Sequence, residues 1–183
     1  MIIGLTGTIG AGKSLAALYI KSKGFEHLTY SNVIREEAKK RGIEPTRNNL
    51  QWLGNQMRKE AGDSGILSKV LLDKIKTDKA LLDGIRNLKE FEYLRQREDF
   101  FLVGIDAEQK IRFKRLKSRA REGDPKTFSD FKIIDDKENL GNESGQEIRK
   151  CLVKADFIVL NNTSEQDMWI KIDVILENIA ERV

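Results

Sequence analysis

This chain is poor in the residues that crosslink or that titrate near neutrality. Its 183 residues include one cysteine, Cys151, and one histidine, His27. A single cysteine cannot form an intrachain disulfide, and Cys151 reads as a structural thiol. His27 lies in an apolar run; it is expected to pack or to sit at a strand edge, without chemistry. No stretch of about 18 apolar residues exists, so no membrane span is expected. The N-terminal apolar run meets Gly4 at once and is too short for a signal h-region, which leads to the expectation of a cytoplasmic protein. Repeats and low-complexity segments are also missing. The chain has no N-K-x-D and no D-x-x-G, which excludes a base-reading GTPase switch.

What is present is 39% hydrophobic and 34% charged residues. That composition suits one soluble domain with a sizeable core. The net charge of +4 fits an anionic small molecule or a nucleic acid and does not choose between them.

Five short apolar runs predict buried strands: Met1–Thr6, Gly24–Tyr30, Lys79–Asp83, Phe100–Asp106 and Asp156–Asn161. Helical periodicity between most of them predicts a parallel sheet with helices on both faces. The second and third strands are unusually far apart. The intervening Ser31–Asp78 reads as three helices, opened by Ser31, by Pro45-Thr46 and by Asp63-Ser64. Leu50, Leu53, Met57 and Ala61 form the expected apolar stripe of the second. Glu122–Phe131 reads as a mobile loop, and Glu165–Val183 as an amphipathic helix burying Ile172, Ile175, Leu176 and Ile179. Trp169 is expected in the core.

The stretch "GTIGAGKS" carries the strongest signal. Gly7, Gly12, Lys13 and Ser14 satisfy G-x-x-x-x-G-K-[ST]. Glycines let successive backbone N–H groups turn inward as a nest for an anion. The helix that follows, with Leu15, Leu18 and Tyr19 along one face, aims free N–H groups and a positive dipole end at the same place. Gly7, Gly10, Ala11, Gly12, Lys13, Ser14 and Leu15 are therefore the expected ATP-binding residues. Lys13 reaches the β- and γ-phosphates and Ser14 offers a hydroxyl to Mg²⁺.

In "LLDGIR", Asp83 ends a buried strand beside that loop and is expected to hold Mg²⁺ through water. Arg86 follows at the carboxyl end of the strand, where parallel sheets bind ligands. Arg35 comes soon after the second strand. Arg47, Gln51, Gly54 and Arg58 share one helical stripe, and guanidinium forks suit a second phosphate. In "DAEQKIRFKRLKSRAREGDP", at about 100° per residue, Phe113, Leu116 and Ala120 form a buried stripe. Arg112, Arg115 and Arg119 flank it, and Lys110, Lys114 and Lys117 form a wet face. An arginine from this helix or its loop is expected to neutralise charge on a transferring phosphoryl group.

"MIIGLTGTIGAGKS", "LLDGIRN", the arginine helix and "KADFIVLNNTS" together resemble the P-loop small-molecule kinases. More narrowly, the chain is similar to nucleoside monophosphate kinases and dephospho-coenzyme A kinases, including archaeal adenylate-kinase-related proteins. The resemblance implies a P-loop NTPase three-layer α/β sandwich with a five-stranded parallel sheet in the order 2-3-1-4-5. It implies a core of residues 1–31, 79–116 and 137–183, an acceptor-binding insert of 32–78 and a short lid of 117–136. "DGIR" resembles the "DGFPR" of adenylate kinases, which would put Arg86 and Arg35 on the acceptor phosphate. Asp135-Asp136 resembles the paired aspartates after the lid. "ADFIVLNNTS" resembles a stretch of dephospho-coenzyme A kinases whose loop borders adenine, which would put Asn161 to Ser164, Asn162 among them, near the base.

The expectation is thus an ATP- and Mg²⁺-dependent phosphotransferase acting on a nucleoside or deoxynucleoside monophosphate, as a monomer or homodimer. Lys13, Asp83, Arg115 and Arg119 are the catalytic candidates. Arg35, Arg58 and Arg86 are the acceptor-binding candidates, and Ser14 and Asp83 the metal-binding ones. A dephospho-coenzyme A kinase with a hydroxyl acceptor, or a P-loop ATPase that binds nucleic acid, are the alternatives. The modest net charge and the gathering of arginines in one region count against nucleic acid.

Overall fold

The computed structural model describes residues 1–121, 123–139 and 147–182. Its centre is a five-stranded parallel sheet in the order β2-β3-β1-β4-β5. The strands are β1 (Ile2–Gly7), β2 (Glu26–Thr29), β3 (Ala80–Asp83), β4 (Phe100–Asp106) and β5 (Phe157–Leu160). All six residues of β1 are buried, as a central parallel strand covered on both faces requires. Side chains alternate between two cores. Ile3 and Leu5 join Leu81, Val103 and Val159 under α1 (Lys13–Ser22) and α9 (Glu165–Ala180). Ile2, Leu82, Phe100 and Leu102 face the opposite layer, which includes Val33, Leu67, Leu71, Phe91 and Cys151. Ile3 and Leu5 are fully buried, and each such aliphatic side chain contributes about 1.5–3 kcal/mol.

Between β2 and β3 lie the three expected helices, α2 (Tyr30–Lys40), α3 (Arg47–Ala61) and α4 (Ile66–Leu72). After β3 come α5 (Leu88–Leu94), α6 (Gln109–Arg119), α7 (Phe128–Asn139) and α8 (Ile148–Val153). The sheet order and the layering are those expected from the sequence.

Several local expectations are corrected. Thr29, not Ser31, caps α2, its hydroxyl accepting the Asn32 N–H at 3.0 Å. The register of β3 against β2 ends at Thr29 opposite Asp83, so the chain turns into helix two residues earlier. Thr46 caps α3 as expected. The cap position of α4 is Gly65, whose N–H donates to the Asp63 carboxylate at 2.7 Å. Leu18 and Ala61 are exposed, and the buried face of α1 is Ala16, Ala17 and Ile20. Trp169 is half-buried and stacks on Tyr19 at 5.2 Å. The loop expected over 122–131 gives way to helix α7 from Phe128, where Phe128 and Phe131 pack against Phe113; its first residue lies outside the described residues.

Candidate active site

The loop between β1 and α1 wraps the amino end of α1, and each glycine in it meets a separate constraint. Gly10 and Gly12 have φ of 77° and 101°, a conformation that other residues adopt only with strain. A Cβ on Gly7 would lie 2.5 Å from the Ile105 carbonyl oxygen. A Cβ on Gly12 would strike the Asn161 amide. No side chain caps α1, so its first N–H groups stay available to an anion. Lys13, Ser14 and Leu15 line the cleft beside this nest, with Gly7, Gly10 and Gly12.

Side chains from behind brace the loop. Thr8 donates to Asp106 at 2.6 Å. The Asn161 amide donates to the Ala11 carbonyl at 2.8 Å, and Arg112 donates to the Ile9 carbonyl at 3.1 Å. This revises two expectations. Asn161 is buried and holds the phosphate loop, while Asn162 accepts the Glu108 N–H at 2.9 Å at the start of α6. Neither lines the cleft, and neither does Ala11, which is buried with its carbonyl taken up by the brace. Both side chains are hydrogen-bonded within the protein.

Asp83 stands at the carboxyl end of β3, adjacent to β1, and faces the same nest. Its Oδ1 pairs with Lys13 Nζ. Its Oδ2 lies 3.3 Å from His27 Nε2. Burial pushes its pKa up, but the His27 hydrogen bond and the Lys13 charge outweigh that and hold it below the ordinary range. His27 was expected to have no chemistry. The register that sets His27 opposite Leu81 and Thr29 opposite Asp83 places it one residue pair away, on the same face, since side chains alternate along a strand. Among the described residues no cluster of three or more His, Cys, Asp or Glu side chains forms a metal site. Ser14 and Asp83, the expected metal positions, both line the cleft.

The cleft has a volume of about 660 Å³ and runs from the phosphate loop to the face of α2 and α3. Arg35 of α2 and Arg58 of α3 line it with Gln51, Gly54 and Asn55, and Arg86 lines it just after β3. Arg58 donates twice to the buried Glu90 carboxylate, at 2.6 and 3.1 Å. Burial pushes the Glu90 pKa up, and Arg58 only partly offsets it. Arg35 is exposed and makes no ion pair among the described residues. Arg47 pairs with Glu138 of α7 and so bridges the two rims of the cleft.

The arginine stripe of α6 divides three ways. Arg112 is fully buried, and its guanidinium makes two bonds to Asp135 of α7 at 2.6 and 2.8 Å. Arg115 and Arg119 both reach the cleft. Arg115 makes long contacts with the Ala11 carbonyl and the Asn161 oxygen, 3.4 and 3.3 Å; partial burial lowers its pKa. Arg119 is held by Asp124 at 2.5 and 3.0 Å. Lys110, Lys114 and Lys117 are exposed, as expected. Eight cationic side chains and three carboxylates line the cleft, an excess of five. This exceeds the +4 of the whole chain, so the molecule's positive charge is concentrated here.

That geometry coincides with the matches to known proteins. A profile of the AAA domain family matches residues 6–132. A UPF0200 protein of Methanocaldococcus jannaschii is 34% identical, covering 100% of this chain and 92% of that protein. The chain belongs to the UPF0200 family. A UPF0200 protein of Pyrococcus abyssi is also 34% identical, over 98% of this chain and 97% of its own length. Among solved structures, shikimate kinase from Aquifex aeolicus superposes with a TM-score of 0.59, covering 98% of both chains at 18% identity. The fold of this UPF0200 protein is therefore that of a P-loop kinase. No helix among its described residues is long and apolar enough to cross a membrane.

Proposed function

We propose that this protein is an ATP- and Mg²⁺-dependent phosphotransferase whose acceptor is a nucleoside or deoxynucleoside monophosphate. The observation that carries the reading is the two-ended cationic cleft. Lys13 and Arg115 stand at the glycine nest, Arg35 of α2 and Arg58 of α3 come from the cleft's other end, and Arg86 and Arg119 line the same cleft. Two separate anionic groups would each find cations there.

The residues fit the group that the fold implies. Gly10, Gly12 and the uncapped start of α1 suit a polyphosphate, and the Ser14 hydroxyl and Asp83 suit a hydrated Mg²⁺. When bound, Mg·ATP supplies the γ-phosphoryl group. Lys13 would leave Asp83 and donate to phosphate oxygens. Arg115, and Arg119 once released from Asp124, would meet the negative charge that spreads over the transferring group. Arg35 and Arg86 would hold the acceptor phosphate in line. Such a nucleophile is already ionised and needs no base. The reading of a nucleic-acid-binding ATPase is weakened by where the charge lies, in a cleft rather than along an open face.

The test is incubation with ATP and Mg²⁺ against a panel of ribo- and deoxynucleoside monophosphates and dephospho-coenzyme A, following ADP release and phosphorylated product. Transfer to a monophosphate is the expected result. Transfer to dephospho-coenzyme A alone, or ATP hydrolysis stimulated only by DNA or RNA, would overturn the reading.

A further inference from the structure

Asp83 is held from two sides, and the two holds differ in kind. Lys13 lines the cleft, where an incoming phosphate competes for its ammonium. His27 does not line it. It sits on the edge strand β2, with 18% of its side chain exposed against 12% for Asp83. A carboxylate can only accept, so the imidazole donates to Oδ2. The bond joins two neighbouring strands of the sheet, and its geometry follows from backbone pairing of Glu26–Thr29 with Ala80–Asp83.

The consequence lies in what happens when the Lys13 pair opens. A carboxylate held by Lys13 alone could rotate and present both oxygens to the ammonium, a tighter pair that competes with phosphate. After Lys13 departs it would rotate freely. With Oδ2 fixed, Lys13 shares one oxygen only, and Oδ1 keeps its direction into the cleft that Ser14 also lines. We infer that His27 is a positioning residue that keeps the Asp83 carboxylate in one orientation as Lys13 passes from Asp83 to phosphate. The inference rests on the phosphotransfer reading of the cleft and adds to it a residue outside the P-loop signature.

The experiment compares His27→Gln, which keeps an N–H near the Nε2 position, with His27→Leu, which fills the space and has no donor. Thermal melts establish that both fold, and His27→Met, which likewise has no donor, stands in should the leucine variant fail. Kinetics use the best acceptor of the panel. For His27→Leu, kcat is expected to fall about tenfold, a typical cost of losing alignment, with both KM values within about twofold. His27→Gln is expected to keep at least about half of wild-type kcat. In an Asp83→Asn background His27→Leu should add nothing further. Equal losses in the Gln and Leu variants would mean packing alone and would overturn the inference, as would an unimpaired Leu variant. A second readout needs no turnover: calorimetric titration with ADP, with and without MgCl₂. Wild type and His27→Gln should bind ADP more tightly when Mg²⁺ is added, and His27→Leu should lose most of that gain. If wild type transfers phosphate to nothing, the proposed function fails. This titration then decides the His27 inference by itself: a gain in the Leu variant equal to wild type overturns it.

Discussion

Replacing Asp135 by alanine should cost far more stability than its place on α7 suggests. Arg112 and Asp135 are each about 1% exposed, and their side chains share two short bonds. Gln109 adds a third to Asp135 at 3.0 Å, and Arg112 also donates to the Ala107 carbonyl at 2.8 Å and to Ile9. Asp135→Ala leaves the buried guanidinium with only the more distant Asp106 carboxylate, 3.8 Å from its Nε, and loss of one partner of a buried pair typically costs about 3–5 kcal/mol. For a chain of this size that lowers Tm by roughly 6–20 °C. Urea denaturation followed by circular dichroism reads the loss as a shift in midpoint at nearly constant slope. The double variant Arg112→Met/Asp135→Leu should recover part of it, because removing both charges avoids the orphan; the Ile9 and Ala107 carbonyls still lose a donor. The pH dependence has a definite sign. Burial pushes the Asp135 pKa up, but the bonds from Arg112 and Gln109 outweigh it, and the net shift is downward. A lowered folded pKa adds stability that is fully present above the unfolded value of about 3.9 and is lost as pH falls through the folded value. Wild type should therefore lose stability below about pH 4 more steeply than Asp135→Ala. A cost under about 1 kcal/mol at pH 7 would refute the reasoning, since an exposed pair behaves that way.

Three further outcomes are expected. Lys13→Ala should abolish phosphoryl transfer while far-ultraviolet circular dichroism stays unchanged; wild-type turnover in a coupled ADP assay would remove Lys13 from the site. Arg86→Ala should raise the acceptor KM well above any change in the ATP KM. Its backbone carbonyl, which accepts the Glu147 N–H at 2.7 Å, is untouched by the substitution, so equal effects on both KM values would take its side chain off the acceptor. Cys151 is fully buried, and burial pushes its thiol up to about 12. Labelling by a thiol reagent at pH 8 should therefore follow the global unfolding rate, and rapid labelling of the native protein would contradict that placement.

Much of the site was legible because its signals are local. The run from Gly7 to Ser14 needs no distant residue to be recognised, and Asp83 and Arg86 follow from the end of one apolar strand. The sheet order came from resemblance rather than from periodicity, which says only that strands and helices alternate. What periodicity could not reach is contact across the sheet. His27 and Asp83 are 56 positions apart, and only the pairing of β2 with β3 brings them together. Within α6 the 100° rule put Arg112, Arg115 and Arg119 on one flank correctly. It did not reveal that Arg112 points into the core, because its partner Asp135 lies on another helix. The amide of Asn161 shows the same limit: its direction depends on the Ala11 carbonyl, 150 positions away in the chain.

The central claim is that the glycine nest takes a triphosphate tail and that Lys13 moves from Asp83 to meet it. A crystal structure with a nonhydrolysable ATP mimic and Mg²⁺ tests it most directly. The account predicts β- and γ-phosphates on the N–H groups at the start of α1, with Lys13 Nζ on the phosphates and His27 still bonded to Asp83. A triphosphate bound elsewhere, or Lys13 still paired with Asp83 beside a bound tail, would contradict it.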